Sequence, residues 1–277
     1  MALLELKDLH TFFRTKKGIV KAVNGVSYSV EAGRTLGVVG ESGSGKSVSA
    51  MSILQLLDGN GYIDSGEILF EGRDLTKLTE KEMYSVRGND ISVIFQEPMT
   101  SLNPVFTVSR QVSEPFIIHQ GMTKKQAAAK VIEMLADVKI PNPHIVAKQY
   151  PHQLSGGMRQ RVMIAMALAC KPKLLIADEP TTALDVTIQA QILKLMNDLK
   201  EEHGTSIIFI THDLGVIRQI ADDVAVMYCG QVVEMAPAGT IFMGAEFSHP
   251  YTEGLMNSIP RLSTPTHTRL DAIPGAV

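Results

Sequence analysis

A chain of 277 residues, 45% of them hydrophobic, has material for one large α/β domain or two modest ones around a well-packed core. Its formal net charge of -3 gives no global basic bias, which removes the electrostatic basis for a nucleic-acid or anionic-membrane partner. Two cysteines, Cys170 and Cys229, are too few for a disulfide framework or a structural zinc site, and their apolar surroundings ("MALAC", "AVMYC") predict buried core thiols.

The opening "MALLELKDLH" meets charge at Glu5 and Lys7, so it has no signal-peptide core. "LLELKDLHTFF" and "VKAVNGVSYSV" combine β-branched and aromatic residues with partial alternation and read as strands around the turn "RTKKG". "TLGVVG" is a short buried strand running into a glycine-rich loop, and "SVSAMSILQLL" continues as a helix in which Val48, Met51 and Leu54 recur at helical spacing. "SGEILFEG" reads as an edge-type strand. Further on, "ISVIFQ", "KLLIADEP", "SIIFITHD" and "VAVMYCGQVVEM" are apolar β runs separated by helical segments, the pattern of a parallel sheet with crossover helices. Between them, "QAAAKVIEMLADV" has helical period with Val131, Leu135 and Val138 on one face. The apolar stretch Val162 to Cys170 is cut off by Lys171-Pro172-Lys173, short of the ~20 residues a membrane helix needs. The expected organisation is therefore a core built from residues 1–96 and 171–240, a helical insertion at 97–170 and an extension at 241–277. The chain reads as soluble and cytoplasmic, with any membrane role reached through a partner.

Gly40-Glu41-Ser42-Gly43-Ser44-Gly45-Lys46-Ser47 fits G-x-x-x-x-G-K-[ST] between a strand and a helix, the context that phosphate-gripping loop requires. Glycines permit a tight turn whose N–H groups converge on a β-phosphate, and the helix N-terminus adds its positive dipole end. Lys46 reaches the β- and γ-phosphate oxygens, and the Ser47 hydroxyl is an Mg²⁺ ligand. At the end of the strand "KLLIAD", Asp178 is the expected second Mg²⁺ ligand and Glu179 the carboxylate expected to address an attacking water, with an N-cap for the next helix the alternative for the pair.

"YPHQLSGGMRQRVMIAMALACKPKLLIADEPTTALD", residues 150–185, resembles the signature-to-D-loop block of ABC transporter ATPases. Leu154-Ser155-Gly156-Gly157-Met158 stands at the signature position, Thr182-Ala183-Leu184-Asp185 at the D-loop, Gln96 at the Q-loop and His212 at the switch histidine. The resemblance runs from about Leu4 to the end of the chain. It implies an α/β fold with a P-loop (RecA-like) ATPase core, an N-terminal antiparallel β subdomain and an inserted helical subdomain. It also implies a head-to-tail dimer in which each ATP lies between the P-loop of one subunit and the signature of the other. Glu179, His212 and Gln96 are then the catalytic group, Gln96 also contacts Mg²⁺, and Phe13, or its neighbour Phe12, stacks on adenine. Serine and two glycines ahead of a helix expose N–H donors to an anion; a plain serine N-cap also holds locally but leaves Gly156-Gly157 without a reason.

Three further stretches, "EPMTSLNP", "YPHQ" and "HPYTEGLMNSIP", resemble the dipeptide and oligopeptide subunits of the peptide/nickel importer branch. The implied role is an energy-coupling ATPase using ATP and Mg²⁺. Its implied partners are a second ATPase subunit, similar or identical, two membrane permease subunits and, through them, an extracytoplasmic solute-binding protein. The implied location is the cytoplasmic face of the membrane. Met99, Leu102, Val105 and Phe106 are candidate apolar contacts for a permease helix, with core burial the alternative. Nickel or glutathione cargo, and a soluble ABC ATPase outside transport, are the competing readings. Many members of this branch carry a cysteine-rich segment that binds an iron–sulfur cluster; two cysteines cannot ligate one, so no cluster is expected.

Overall fold

The computed structural model describes residues 2–96, 101–182, 184–243 and 249–258. The chain forms two compact units, Met1–Leu78 with Ile208–Val277, and Thr79–Ile207.

The first unit opens with β1 (Ala2–Thr15) and β2 (Gly18–Glu31), an antiparallel hairpin closed where the Thr15 hydroxyl donates to Gly18 O at 2.7 Å. In β2, Val26, Tyr28 and Val30 are buried and alternate with exposed Ser27 and Ser29, the period a one-sided sheet demands. β3 (Thr35–Val39) is buried along its whole length and leads through the glycine loop into α1 (Lys46–Ile53). β4 (Gly61–Phe70) pairs with β1, and the two-residue β5 (Arg73–Asp74) closes a four-stranded sheet in the order β2-β1-β4-β5.

The α1 helix departs from the expected face. Leu54 is buried just past its end, but Val48 and Met51 are only half-buried, and the inner face is Ser49, Ala50, Ser52 and Ile53. Hydroxyl pairing explains this: Thr11 and Ser52 side chains meet at 2.8 Å, and Tyr28 Oη lies 3.5 Å from Ser49 Oγ. Small hydroxyl residues let the helix come close to the sheet while satisfying its buried polar atoms. Burial pushes the Tyr28 phenol up to about 12, so it stays neutral in this contact.

The second unit begins at α2 (Glu80–Val86), started by a capping box between Thr79 and Glu82. β6 (Ile91–Ile94) follows, then α3 (Val108–Gln120), α4 (Lys124–Asp137), α5 (Pro143–Val146) and α6 (Gly156–Leu168). The expected face of α4 is correct: Val131, Leu135 and Val138 are all fully buried. β7 (Leu174–Asp178) lies parallel to β6, with Ile91 opposite Leu174, and α7 (Val186–His203) follows it.

β8 (Ser206–Thr211) returns the chain to the first unit, where α8 (Leu214–Ile220), β9 (Asp223–Tyr228), β10 (Gln231–Pro237), α9 (Ala238–Met243) and α10 (Pro250–Asn257) complete it. Its strands run in the order β10-β9-β3-β8, with β3 parallel to β9 and β9 antiparallel to β10. The run "VAVMYCGQVVEM" is thus a hairpin rather than one strand. Cys229 and Gly230 form its two-residue turn with φ of 46° and 76°, the pair of positive values a type I′ turn needs. This overturns the expectation of two buried thiols: Cys229 is exposed at the turn and Cys170 is half-buried. Among the described residues no helix is long and apolar enough to cross a membrane.

Candidate active site

In the first unit the glycine loop is shaped by close backbone approach. A Cβ on Gly40, whose φ is 153°, would lie 2.2 Å from Met227 O, and one on Gly45, at φ 95°, 2.4 Å from Ala22 O. Only glycine fits either position. The loop is tied to the β9–β10 turn, where Gly230 N–H donates to Ser44 O at 3.0 Å. Glu41 O accepts the Ser44 N–H at 3.2 Å inside the loop. Gly45 caps α1 through its left-handed backbone conformation, without a side-chain bond.

Lys46 is 5% exposed, its ammonium donating to Gly40 O and Glu41 O at 2.7 Å each and lying 3.4 Å from Ser44 Oγ. A buried cation held by carbonyl groups is a cation kept in place beside the loop. Ser42 and Gly43 are exposed, and Glu41 and Ser47 half-buried. The Glu41 N–H donates to the hydroxyl of Tyr251, in α10, at 3.0 Å. His212 is exposed immediately after β8. Phe12 is a core side chain, edge-on to His10 at 5.9 Å and Tyr62 at 6.3 Å. Phe13 is half-buried, its ring where a Cβ on Gly61 would come within 2.7 Å.

The second unit carries the acidic residues. Asp178 ends β7 and is 6% exposed. Glu179 follows with a left-handed φ of 46°, a strained conformation for a non-glycine residue. That turn aims its carboxylate at two donors: Gln96 Nε2 and Thr182 Oγ1 each donate to Glu179 Oε2 at 2.9 Å. Gln96 and Glu179 are thus brought together by β6 and β7 lying side by side. Thr182 is the residue the sequence reading left without a role at this carboxylate; its signal was a hydroxyl three positions after an acid in a turn-rich stretch.

Ser155 is the N-cap of α6, its hydroxyl accepting Met158 N–H at 3.3 Å, and Leu154 is buried behind it. The two glycines separate. A Cβ on Gly157 would come 2.9 Å from Ile188 Cγ2, so internal packing already favours glycine there. Gly156 is exposed, and a Cβ on it would meet nothing closer than Leu184 Cδ2 at 3.9 Å. Among the described residues no group crowds a Cβ at 156. Asp185 caps α7, its carboxylate accepting Ile188 N–H at 2.9 Å. Ala183 lies outside the described residues.

The three groups assigned to a cation by the sequence, the Ser47 hydroxyl, the Gln96 carboxamide and the Asp178 carboxylate, all offer oxygen. That is the hard donor set Mg²⁺ takes, with one carboxylate and nucleotide phosphates sufficing. Gln96 spends its amide nitrogen on Glu179 and turns its carbonyl oxygen elsewhere.

Comparison with known proteins gives a consistent picture. Residues 23–182 match the family described as ABC transporter, and residues 233–277 the family described as oligopeptide/dipeptide transporter, C-terminal region. The chain is 56% identical over 274 residues to the oligopeptide transport ATP-binding protein OppD of Bacillus subtilis, covering 99% of this chain and 76% of that one. It is 53% identical over 260 residues to the dipeptide transport ATP-binding protein DppD of the same organism, covering 94% and 77%. Among solved structures, the dimeric post-hydrolysis state of the ATP-binding cassette MJ0796 bound to ADP and Pi superposes with a TM-score of 0.76 at 29% identity, covering 85% of this chain and 98% of that one. The cbiO1 subunit from Clostridium perfringens, part of the ABC transporter complex cbiONQ, gives 0.73 at 27% identity, covering 88% and 92%.

Proposed function

The chain belongs to the ABC transporter ATP-binding family, and from that premise we propose that it is the energy-coupling subunit of a bacterial importer of di- or oligopeptides. It is an ATPase with the P-loop ABC fold. The observation that carries the catalytic reading is the pair of donors, Gln96 and Thr182, that hold the Glu179 carboxylate through its Oε2. The likeness of the whole chain, including residues 233–277, to peptide-import ATP-binding proteins supports the peptide cargo.

In this reading the loop amides from Gly43 to Ser47, the N-terminus of α1 and Lys46 grip the β- and γ-phosphates, and Lys46 exchanges its carbonyl partners for phosphate oxygens. Ser47, Asp178 and the Gln96 carbonyl oxygen would hold Mg²⁺, which when bound neutralises charge on the phosphate oxygens. Glu179 accepts the proton of the attacking water as that water adds to the γ-phosphorus and the bond to ADP breaks. His212 supplies a donor to the γ-phosphate, and Phe13 stacks on adenine. Leu154, Ser155, Gly156, Gly157, Met158 and Asp185 serve the nucleotide of a second ATPase subunit.

The groove of about 660 Å³ beside Phe106 and α3, lined also by Ile117 and Ile118, is the surface proposed for a short helix of a permease subunit. Val105, 70% exposed, stands in the same segment, whereas Leu102 is a core residue and Met99 lies outside the described residues. Through two such permease subunits the chain sits at the cytoplasmic face of the membrane and serves a solute-binding protein outside it. The test is uptake in cells of the source organism. Disrupting the gene abolishes entry of a labelled tripeptide, the wild-type gene restores it and a Glu179→Gln copy does not. Intact peptide uptake with lost nickel or glutathione entry would reassign the cargo.

A further inference from the structure

The peptide group between Gly40 and Glu41 is held at both ends. Its carbonyl, Gly40 O, accepts from Lys46 Nζ at 2.7 Å, and its N–H, that of Glu41, donates to Tyr251 Oη at 3.0 Å. A peptide group is planar, so these two bonds fix one rigid plate, and turning it breaks both. The plate turns about ψ of Gly40 and φ of Glu41, and Gly40 has no Cβ to oppose that rotation, so its two partners set its orientation. We propose that Tyr251, carried on α10 far along the chain from the loop, is a positioning residue that latches the Gly40–Glu41 peptide and so presets Lys46 for the phosphates of ATP.

Tyr251 is built to hold still. It is 7% exposed, its ring packs on Tyr228 with centroids 4.5 Å apart, and Tyr228 ends β9 next to Met227, whose carbonyl closes over Gly40. The helix start is fixed as well: His249 Nδ1 accepts Tyr251 N–H at 3.2 Å, and His249 N–H donates to Glu234 Oε2 on β10 at 2.9 Å. Burial holds the Tyr251 phenol above its usual range, so it stays a neutral hydroxyl able to accept the Glu41 N–H. Strand, loop and C-terminal helix thus converge on one peptide. The consequence is directional. A displacement of α10 releases the plate, the plate releases the carbonyl that seats Lys46, and the loop then meets nucleotide less well ordered. The proposal rests on the reading of this loop as an ATP site.

Tyr251→Phe keeps the ring and its packing and removes only the oxygen. In the full chain, calorimetry is expected to show the Kd of Mg-ATP and of Mg-ADP rising together by about three- to tenfold, the worth of one net hydrogen bond. The loss should fall on KM, with kcat at saturating ATP the smaller change. Hydrogen exchange without nucleotide should show the Glu41 amide exchanging severalfold faster while β9 and α10 keep their protection and the thermal midpoint holds. Unchanged nucleotide affinity with unchanged exchange at Glu41 overturns the latch. A general loss of protection through β9 and α10 overturns it too, because that marks packing rather than one bond. If the wild-type chain binds no ATP, the functional reading fails and the exchange measurement alone decides the latch.

Discussion

Glu179 is the residue where local strain and the proposed chemistry coincide. Its φ of 46° costs on the order of 1 kcal/mol and is retained because it presents the carboxylate to Gln96 and Thr182. Glu179→Gln preserves shape and removes the proton acceptor, so ATP affinity is expected to stay within about twofold while turnover falls by at least ~100-fold. Single-turnover hydrolysis at the wild-type rate would show that another group activates the water. Lys46→Ala removes the cation from carbonyls 40 and 41 and from the phosphates alike. Calorimetry should show ATP binding weakened at least tenfold, with a stability change of about 1–2 kcal/mol from the two carbonyls left without their charged donor. Both positions were legible because their motifs mark them for a chemistry that these two measurements test. Thr182 and Tyr251 were not, since each acts through one hydroxyl on a group that only the backbone path brings near, and Cys229 was misjudged because neighbouring apolar residues conceal a turn.

Elements were legible where one apolar period governs them. In α4 the spacing of Val131, Leu135 and Val138 is the buried face, and Leu135→Ala should cost roughly 3 kcal/mol in chemical denaturation by leaving a cavity in a fully buried site. A loss under 1 kcal/mol would mean the helix collapses into the gap or is not packed there. For α1 the same rule chose the wrong side, because Ser49 and Ser52 pair with Tyr28 and Thr11 and a hydrophobicity pattern counts those hydroxyls as solvent-facing. The β9–β10 hairpin escaped for a related reason. A Cys-Gly turn lacks the Asn-Gly or Asp-Gly signal, although its two positive φ values perform the same reversal. At α6 the serine cap and the exposed Gly156 are both real, and only a measurement with a partner subunit separates their roles.

At the scale of the whole molecule the question is whether one chain is a complete enzyme. The loop, Lys46 and Glu179 belong to every copy, and Ser155 and Gly156 stand exposed at the start of α6, where the Ser155 hydroxyl caps the helix. If these close the ATP site of a second subunit, an isolated chain binds nucleotide but lacks donors opposite the γ-phosphate. Phosphoryl transfer is catalysed mostly by positioning and electrostatic stabilisation, so the missing half should cost turnover far more than affinity. ATPase activity per molecule is therefore expected to rise with protein concentration, and to rise further with the companion ATPase and permease subunits present. Ser155→Arg places bulk and charge at the cap and should abolish that concentration-dependent activity. Its ATP affinity at dilution should stay within about threefold, and the lost cap should lower stability by only about 1 kcal/mol. The decisive measurement is turnover followed together with mass by sedimentation across the same dilution series. Full turnover by a species shown to be a monomer, unchanged on dilution and unaffected by Ser155→Arg, would require every group the γ-phosphate needs to come from a single chain.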